Sequence, residues 1–229
     1  VRNVTEFAVP LTRWTRGRTE FGVVEPTPRT FEAIALPYSP AGEVRAPIVD
    51  VGYGTPEEID EADVDGAVVV ASTDTPPDRR IVHRMEKYGH AVDAGAEAFV
   101  FANHVSGQLP PTGSLRFDEG GAVPGIGVSY ETGEWLRRYA DRDGAVRVSV
   151  DATSDESETP VVHGVLGPDT DEEVVVLAHH DAHDVGEGAL DNGCGVAVVV
   201  GVARAIADLD LGCRVRVAAV GGEEVGLVG

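Results

Sequence analysis

Lysine is almost missing from this chain. Lys87 stands alone, and every other one of the 18 basic residues is arginine. Cysteine is nearly as scarce, with only Cys194 and Cys213. That spacing excludes a disulfide framework and a CxxC zinc knuckle. Each cysteine lies in an apolar stretch and reads as a small core residue. Positive charge is outnumbered throughout: 39 acidic residues against 18 basic ones give a net charge of -21. Nucleic acid repels such a field, so no nucleic-acid partner is expected. No run approaches the ~20 apolar residues of a membrane span, so no span is expected. The start does not read as a signal peptide, which favours a cytoplasmic over a secreted location.

What is present is a chain of 229 residues with 42% hydrophobic content. That is enough for one large domain or two modest ones with a sizeable core. An acidic surface almost free of lysine fits a salt-adapted, halophilic protein of haloarchaeal type living in high salt. Its carboxylates hold water, and salt screens their mutual repulsion.

The apolar patterning divides the chain into three parts. Residues 1–29 are the first part, in which Thr5–Val24 read as two short strands around the turn-like Arg16-Gly17-Arg18, closed by Pro26 and Pro28. Residues 30–150 read as a second unit. It has strands at Ala46–Val51, Gly66–Ala71, Ala96–Ala102, Val123–Val128 and Val146–Val150. Thr55-Pro56-Glu57-Glu58 carries the N-cap, first-turn proline and third-position glutamate of a helix start. A longer helix is expected over Asp78–Ala94, with Ile81, Val82, Met85, Tyr88 and Val92 at helical spacing and Gly95 as its stop. Another helix is expected over Thr132–Asp141. Strand–helix–strand order implies parallel pairing.

Gly66-Ala67-Val68-Val69-Val70, then Asp93-Ala94-Gly95-Ala96-Glu97-Ala98-Phe99-Val100, then Pro124-Gly125-Ile126-Gly127-Val128-Ser129 resemble the protease-associated (PA) domain. The resemblance implies a small β-rich domain with flanking helices, inserted in several peptidase families as a lid or gating module.

Residues 151–229 form the third part. Ser154–Thr159 reads as an acidic loop, Pro160–Leu166 and Val174–Ala178 as strands. Asp191 or Asn192 opens a helix to about Asp208, apolar nearly all round and so expected to be well buried. Val215–Val220 is the last strand, and its apolar edge is a pairing hazard that suggests a homo-oligomer.

Chemistry concentrates at the ends of these strands. His179 and Asp181 leave the chain on the same side just past a strand. Asp181 can hold the second nitrogen of a ligating His179. Asp191 follows a glycine-containing loop, where its carboxylate can reach one metal or two. Glu223 and Glu224 are adjacent, so one can ligate while the other faces bound water. Hard and borderline donors grouped in this way fit a divalent metal such as zinc. Such an ion lowers the pKa of bound water from ~15.7 to about 7, and a free carboxylate can take the proton.

The stretches Ala178-His179-His180-Asp181-Ala182-His183, Gly188-Ala189-Leu190-Asp191-Asn192-Gly193-Cys194-Gly195 and Gly222-Glu223-Glu224-Val225-Gly226-Leu227-Val228-Gly229 resemble the M28 family of zinc aminopeptidases and carboxypeptidases. The resemblance implies an α/β fold: a partial three-layer zinc-exopeptidase sheet domain beside the PA-like domain. It implies metal ligands His179, Asp191 (bridging) and Glu224. Glu223 would be the general base, Asp181 the residue that orients His179, and a peptide the substrate. His180 and His183 have no counterpart in this pattern; His183 is read as facing substrate or solvent.

The family also needs an Asp and a His ligand downstream of Glu-Glu, and no residue here fills either role. Two zinc ions are expected in the full-length enzyme and one or none stably bound here. Activity is expected to be weak or absent in this chain. The alternatives are a non-catalytic PA-type binding module, or a related zinc amidohydrolase or acyltransferase on the same fold.

Overall fold

A computed structural model describes residues 1–116 and 120–229. Its elements in chain order are β1 (Arg2–Glu25), β2 (Arg29–Phe31), β3 (Ile34–Ala35), β4 (Gly42–Asp50), α1 (Pro56–Glu61), β5 (Val68–Ser72), α2 (Arg84–Asp93), β6 (Ala98–Ala102), β7 (Gly125–Val128), α3 (Tyr130–Ala140), β8 (Ala145–Leu166), β9 (Glu173–His179), α4 (Cys194–Ile206) and β10 (Arg214–Val220). A kinked turn, Ala189–Gly193, with Asp191 (φ -116°, ψ 94°) and Asn192 (φ -133°, ψ 37°) outside helical geometry, leads into α4. The chain divides into two compact units. One is Trp14–Ser154; the other combines Val1–Arg13 with Asp155–Gly229.

In the unit of residues 14–154, β4, β5, β6 and β7 pair in parallel. The strands β5 and β6 are buried on both faces, as continuous apolar runs should be in a parallel sheet. Leu136 of α3 packs with Val68, Val70, Val100 and Ile126 on one face. Ile59 of α1 and Tyr88 and Ala91 of α2 pack with Val69, Ala71, Phe99 and Phe101 on the other. The capping box at Thr55 forms: its hydroxyl accepts from the Glu58 N–H at 3.2 Å, and Glu58 accepts from the Thr55 N–H at 2.9 Å.

Four local readings need correction. Residues 2–25 are one strand, not two around a turn. Gly17 is needed for close approach, since a Cβ there would sit 2.7 Å from the Asp151 carbonyl oxygen. Ser154–Thr159 is not a loop but the middle of the 22-residue β8, whose neighbour β1 supplies hydrogen-bonding partners that no local polarity reveals. The helix expected from Asp78 begins only at Arg84. Asp78 takes a positive φ of 63°, which a continuing helix does not allow, and Ile81 is 82% exposed. Finally, Cys194 is exposed and Cys213 only half-buried, so neither is a core residue.

In the other unit, β10 is flanked by β8, antiparallel, and β9, parallel. The edge strand is therefore β9 rather than the Val215–Val220 segment, and Val174, Val175 and Leu177 are each half exposed. By length and composition Ala189–Ile206 would pass as a membrane span. In the fold, its α4 portion packs one face on β9 and β10, burying Val199 and Ala203 among Ala178, Val215 and Val217. Val198 and Val200 face outward, so α4 is buried on one side only, not all round.

At the start of β9, Glu173 accepts hydrogen bonds from the guanidinium groups of Arg214 and Arg216. The Arg216 and Arg214 bonds hold the Glu173 carboxyl below the usual carboxylate range. Its contribution to stability is thus present above the ordinary glutamate value and is lost as pH falls through the lower folded value. Acid titration of the folded state, followed by circular dichroism, should show a shallower loss of stability for Glu173→Gln than for the parent.

Two glycine substitutions should move thermal stability in opposite directions. A Cβ at Gly127 would lie 2.1 Å from the Pro111 carbonyl oxygen, so Gly127→Ala should cost about 2 kcal/mol. Gly201 lies in α4 with open space around it, so Gly201→Ala should gain about 1 kcal/mol. Melting temperatures of the two variants test both signs.

Candidate metal centre

Parallel pairing of β9 and β10 sets His179 opposite Val220, so both strands end at the same level. The carboxyl ends of parallel strands are where an α/β sheet presents its groups. After β10 the chain must turn back sharply, and Gly222 permits this with a φ of 81°. The turn is closed by the Val228 N–H donating to the Gly222 carbonyl and the Leu227 N–H donating to that of Glu223, both at 3.1 Å.

Asp181 joins the two strand ends. Its carboxylate accepts from the backbone N–H of Glu223 at 3.3 Å and of Glu224 at 3.1 Å. Its backbone carbonyl stands 3.0 Å from His179 Nδ1, while its carboxylate oxygen is 3.5 Å from the same nitrogen. Sequence reasoning assigned Asp181 to the histidine, directly or through the neighbouring backbone. The larger part of its carboxylate's work is on the glutamate backbone, and no local signal marks a partner so far along the chain.

His179 is buried, with a relative exposure of 7%. A carbonyl can only accept, so Nδ1 carries a hydrogen. Nε2 then faces two more acceptors, Asp191 Oδ1 at 3.1 Å and Glu223 Oε2 at 3.8 Å. Such a nitrogen is satisfied by a proton, which makes the ring an imidazolium, or by a cation in the same space. Burial opposes charge on the ring. The Asp181 carbonyl and the Glu223, Asp181 and Asp191 carboxylates outweigh it and raise the His179 pKa.

His179, Glu223 and Glu224 each offer a ligand atom within 4.8 Å of the other two. Asp191 joins this group through its contact with His179 and is largely exposed. Burial raises the pKa of Glu224, and the Asp191 and Glu223 charges add to it against the charge of His183. Three carboxylates around one imidazole, with no arginine or lysine ion-paired to them among the described residues, make a donor set that fits a divalent cation.

Asn192 opens α4 by accepting from the Gly195 N–H at 3.0 Å. Gly195 must lack a side chain, because its Cβ would sit 2.0 Å from Asn192 Oδ1. The adjacent Asp191 precedes this start and places its carboxylate 3.1 Å from His179 Nε2. His180 points elsewhere and contacts the Pro160 carbonyl at 2.9 Å. His183, unassigned from sequence, acts electrostatically on Glu224. Its place two residues past Asp181 was the only hint.

Residues 161–229 match the model of peptidase family M28, and residues 44–136 that of the PA domain. Aminopeptidase YwaD of Bacillus subtilis is 28% identical over 187 residues, covering 80% of this chain and 38% of that protein. A probable lipoprotein aminopeptidase, LpqL, of Mycobacterium tuberculosis is 30% identical over 222 residues, covering 93% of this chain and 42% of that protein. The chain thus spans about two fifths of the length of these curated relatives.

Among solved structures, an M28 peptidase precursor of Shewanella amazonensis superposes with a TM-score of 0.79 at 25% identity. The match covers all of this chain and 56% of that one. An aminopeptidase from Aneurinibacillus sp. strain AM-1 gives the same TM-score at 24% identity, covering 99% and 55%. These likenesses agree with the α/β architecture expected from the sequence. Residues 161–229 are thus similar to peptidase family M28, and residues 44–136 to the PA domain.

Proposed function

We propose that these residues are part of a zinc-dependent exopeptidase of aminopeptidase type that hydrolyses peptide bonds. The observation that carries the reading is the His179 ring, with one nitrogen on a carbonyl and the other aimed at carboxylate oxygens. Named relatives support it. Aminopeptidases recur among them, and one solved neighbour is titled a zinc aminopeptidase from Bacillus subtilis.

His179, Asp191 and Glu224 would hold the metal. A bound zinc would supply Lewis acidity, polarising the scissile carbonyl and acidifying water. Glu223 stands at the edge of the same group, where it can take a proton from water and return it to the leaving amine. Asp181 keeps the two glutamates and the histidine in register through its bonds to both strand ends. The reading extends to two ions in the longer protein and to life in high salt, for which the acidic, lysine-poor composition is the support. The half-exposed apolar edge of β9 supports self-association in the same way.

Two measurements test the reading. Equilibrium dialysis of this chain against zinc should show saturable binding, and Asp181→Asn should weaken it by about 10- to 100-fold without changing the circular dichroism spectrum. Hydrolysis of leucine p-nitroanilide by the longer protein carrying these residues, with zinc or cobalt and high salt, should fall about 10²- to 10⁴-fold in Glu223→Gln. Turnover that survives that substitution would exclude Glu223 as the base, and turnover indifferent to chelators would exclude the metal.

A further inference from the structure

Within residues 14–154, a cavity of about 350 Å³ opens between α2 and the ends of β5 and β6. That volume is in the range of small-ligand sites. Leu36, Val82, Phe101 and Pro111 give it apolar walls, and Lys87, Arg84, His83 and His104 bring the titratable groups. No carboxylate lines it among the described residues, although acidic residues outnumber basic ones 39 to 18 along the chain.

The chain's single lysine is the key to this cavity. Lys87 is 1% exposed. Its Nζ donates to two backbone carbonyls, Ser72 at 2.9 Å and Asp74 at 2.5 Å. An ammonium has three donors, so one remains. No carboxylate is ion-paired with it among the described residues. The nearest negative charges acting on it are those of Asp74 and Glu58, and burial outweighs them in lowering its pKa. A buried charge held only by neutral carbonyls is costly until an anion joins it.

Two more features look built for this place. Gly54, at a φ of 72°, lies beside the Lys87 stem, and a Cβ there would sit 2.7 Å from the Ala71 Cβ. Gly113, at a φ of 140°, lets the Arg84 guanidinium lie against the backbone, where any Cβ would be 2.4 Å from Cζ. Arg84 Nε also donates to the Ser114 carbonyl at 2.9 Å, which fixes the group in place.

We propose that this cavity binds the terminal carboxylate of a molecule with a small apolar body, the carboxylate on Lys87 and the body against Leu36, Val82 and Phe101. A peptide with an apolar C-terminal residue and a short fatty acid share that chemistry. The site lies wholly inside the PA domain unit and does not depend on the metal centre.

The test titrates the 229-residue chain with N-acetyl-leucyl-leucine, with the C-terminal amide of the same dipeptide, and with octanoate, read by amide chemical shifts. The acid should bind at least about tenfold more tightly than the amide, and shifts should centre on Thr73, Ile81 to Arg84, Asn103 and His104. Saturation by the dipeptide identifies a peptide end as the guest; saturation by octanoate alone identifies a fatty acid. Lys87→Met should abolish the preference for acid over amide. Ile81→Asp, at an 82% exposed position on the rim, cannot disturb the core. It should weaken the acid and leave the amide unchanged. Saturable binding of acid and amide with equal affinity, a preference for acid that persists in either variant, or no saturable binding by any of the three probes would overturn the proposal.

Discussion

Everything at the candidate metal centre depends on where the two nitrogens of one buried imidazole point. Nδ1 of His179 meets a carbonyl, and Nε2 meets Asp191 with Glu223 just beyond it. All three are acceptors, so the ring cannot satisfy them as a neutral molecule in isolation. The site carries a built-in demand for positive charge. The same acidic surroundings that make the site expensive to leave empty of charge make it a good host for a divalent ion.

The fold meets that demand with a small number of devices. Parallel pairing brings the ends of β9 and β10 level. Gly222 reverses the chain, and the Asp181 carboxylate receives the returning N–H groups of both glutamates. Asn192 fixes the start of α4 and with it Asp191. Each device is a backbone constraint rather than a contact between site side chains. Small changes in these supporting groups should therefore act on the geometry of the donors without touching the donors themselves.

The sequence made the site legible because its donors cluster in three short runs, each after an apolar strand. The parallel sheet was legible for the same reason: β5 and β6 are unbroken apolar runs. The readings that failed are those decided by distant partners. Gly17 looked like a turn, but serves the approach of Asp151. Ser154–Thr159 looked like a loop because its side chains are polar, whereas its backbone is paired as strand. Ile81 fitted a helical period, yet the helix starts after it, where His83 caps the first turn at 3.4 Å. The outward face of α4 was equally invisible, since periodicity reports which residues are apolar and not what covers them.

The solitary lysine has one more consequence, for chemistry done on the protein. Reagents selective for ε-amines, and proteases that cut after lysine, have one address in the whole chain, and it lies inside α2. That address is 1% exposed and borders the cavity beside α2. Acylation of Lys87 therefore proceeds by way of the cavity beside α2 or through openings of this unit, and a guest seated in the cavity should slow the first route. The lysine-poor sequence thus gives the molecule a single internal ε-amine whose reactivity reports on access to that cavity.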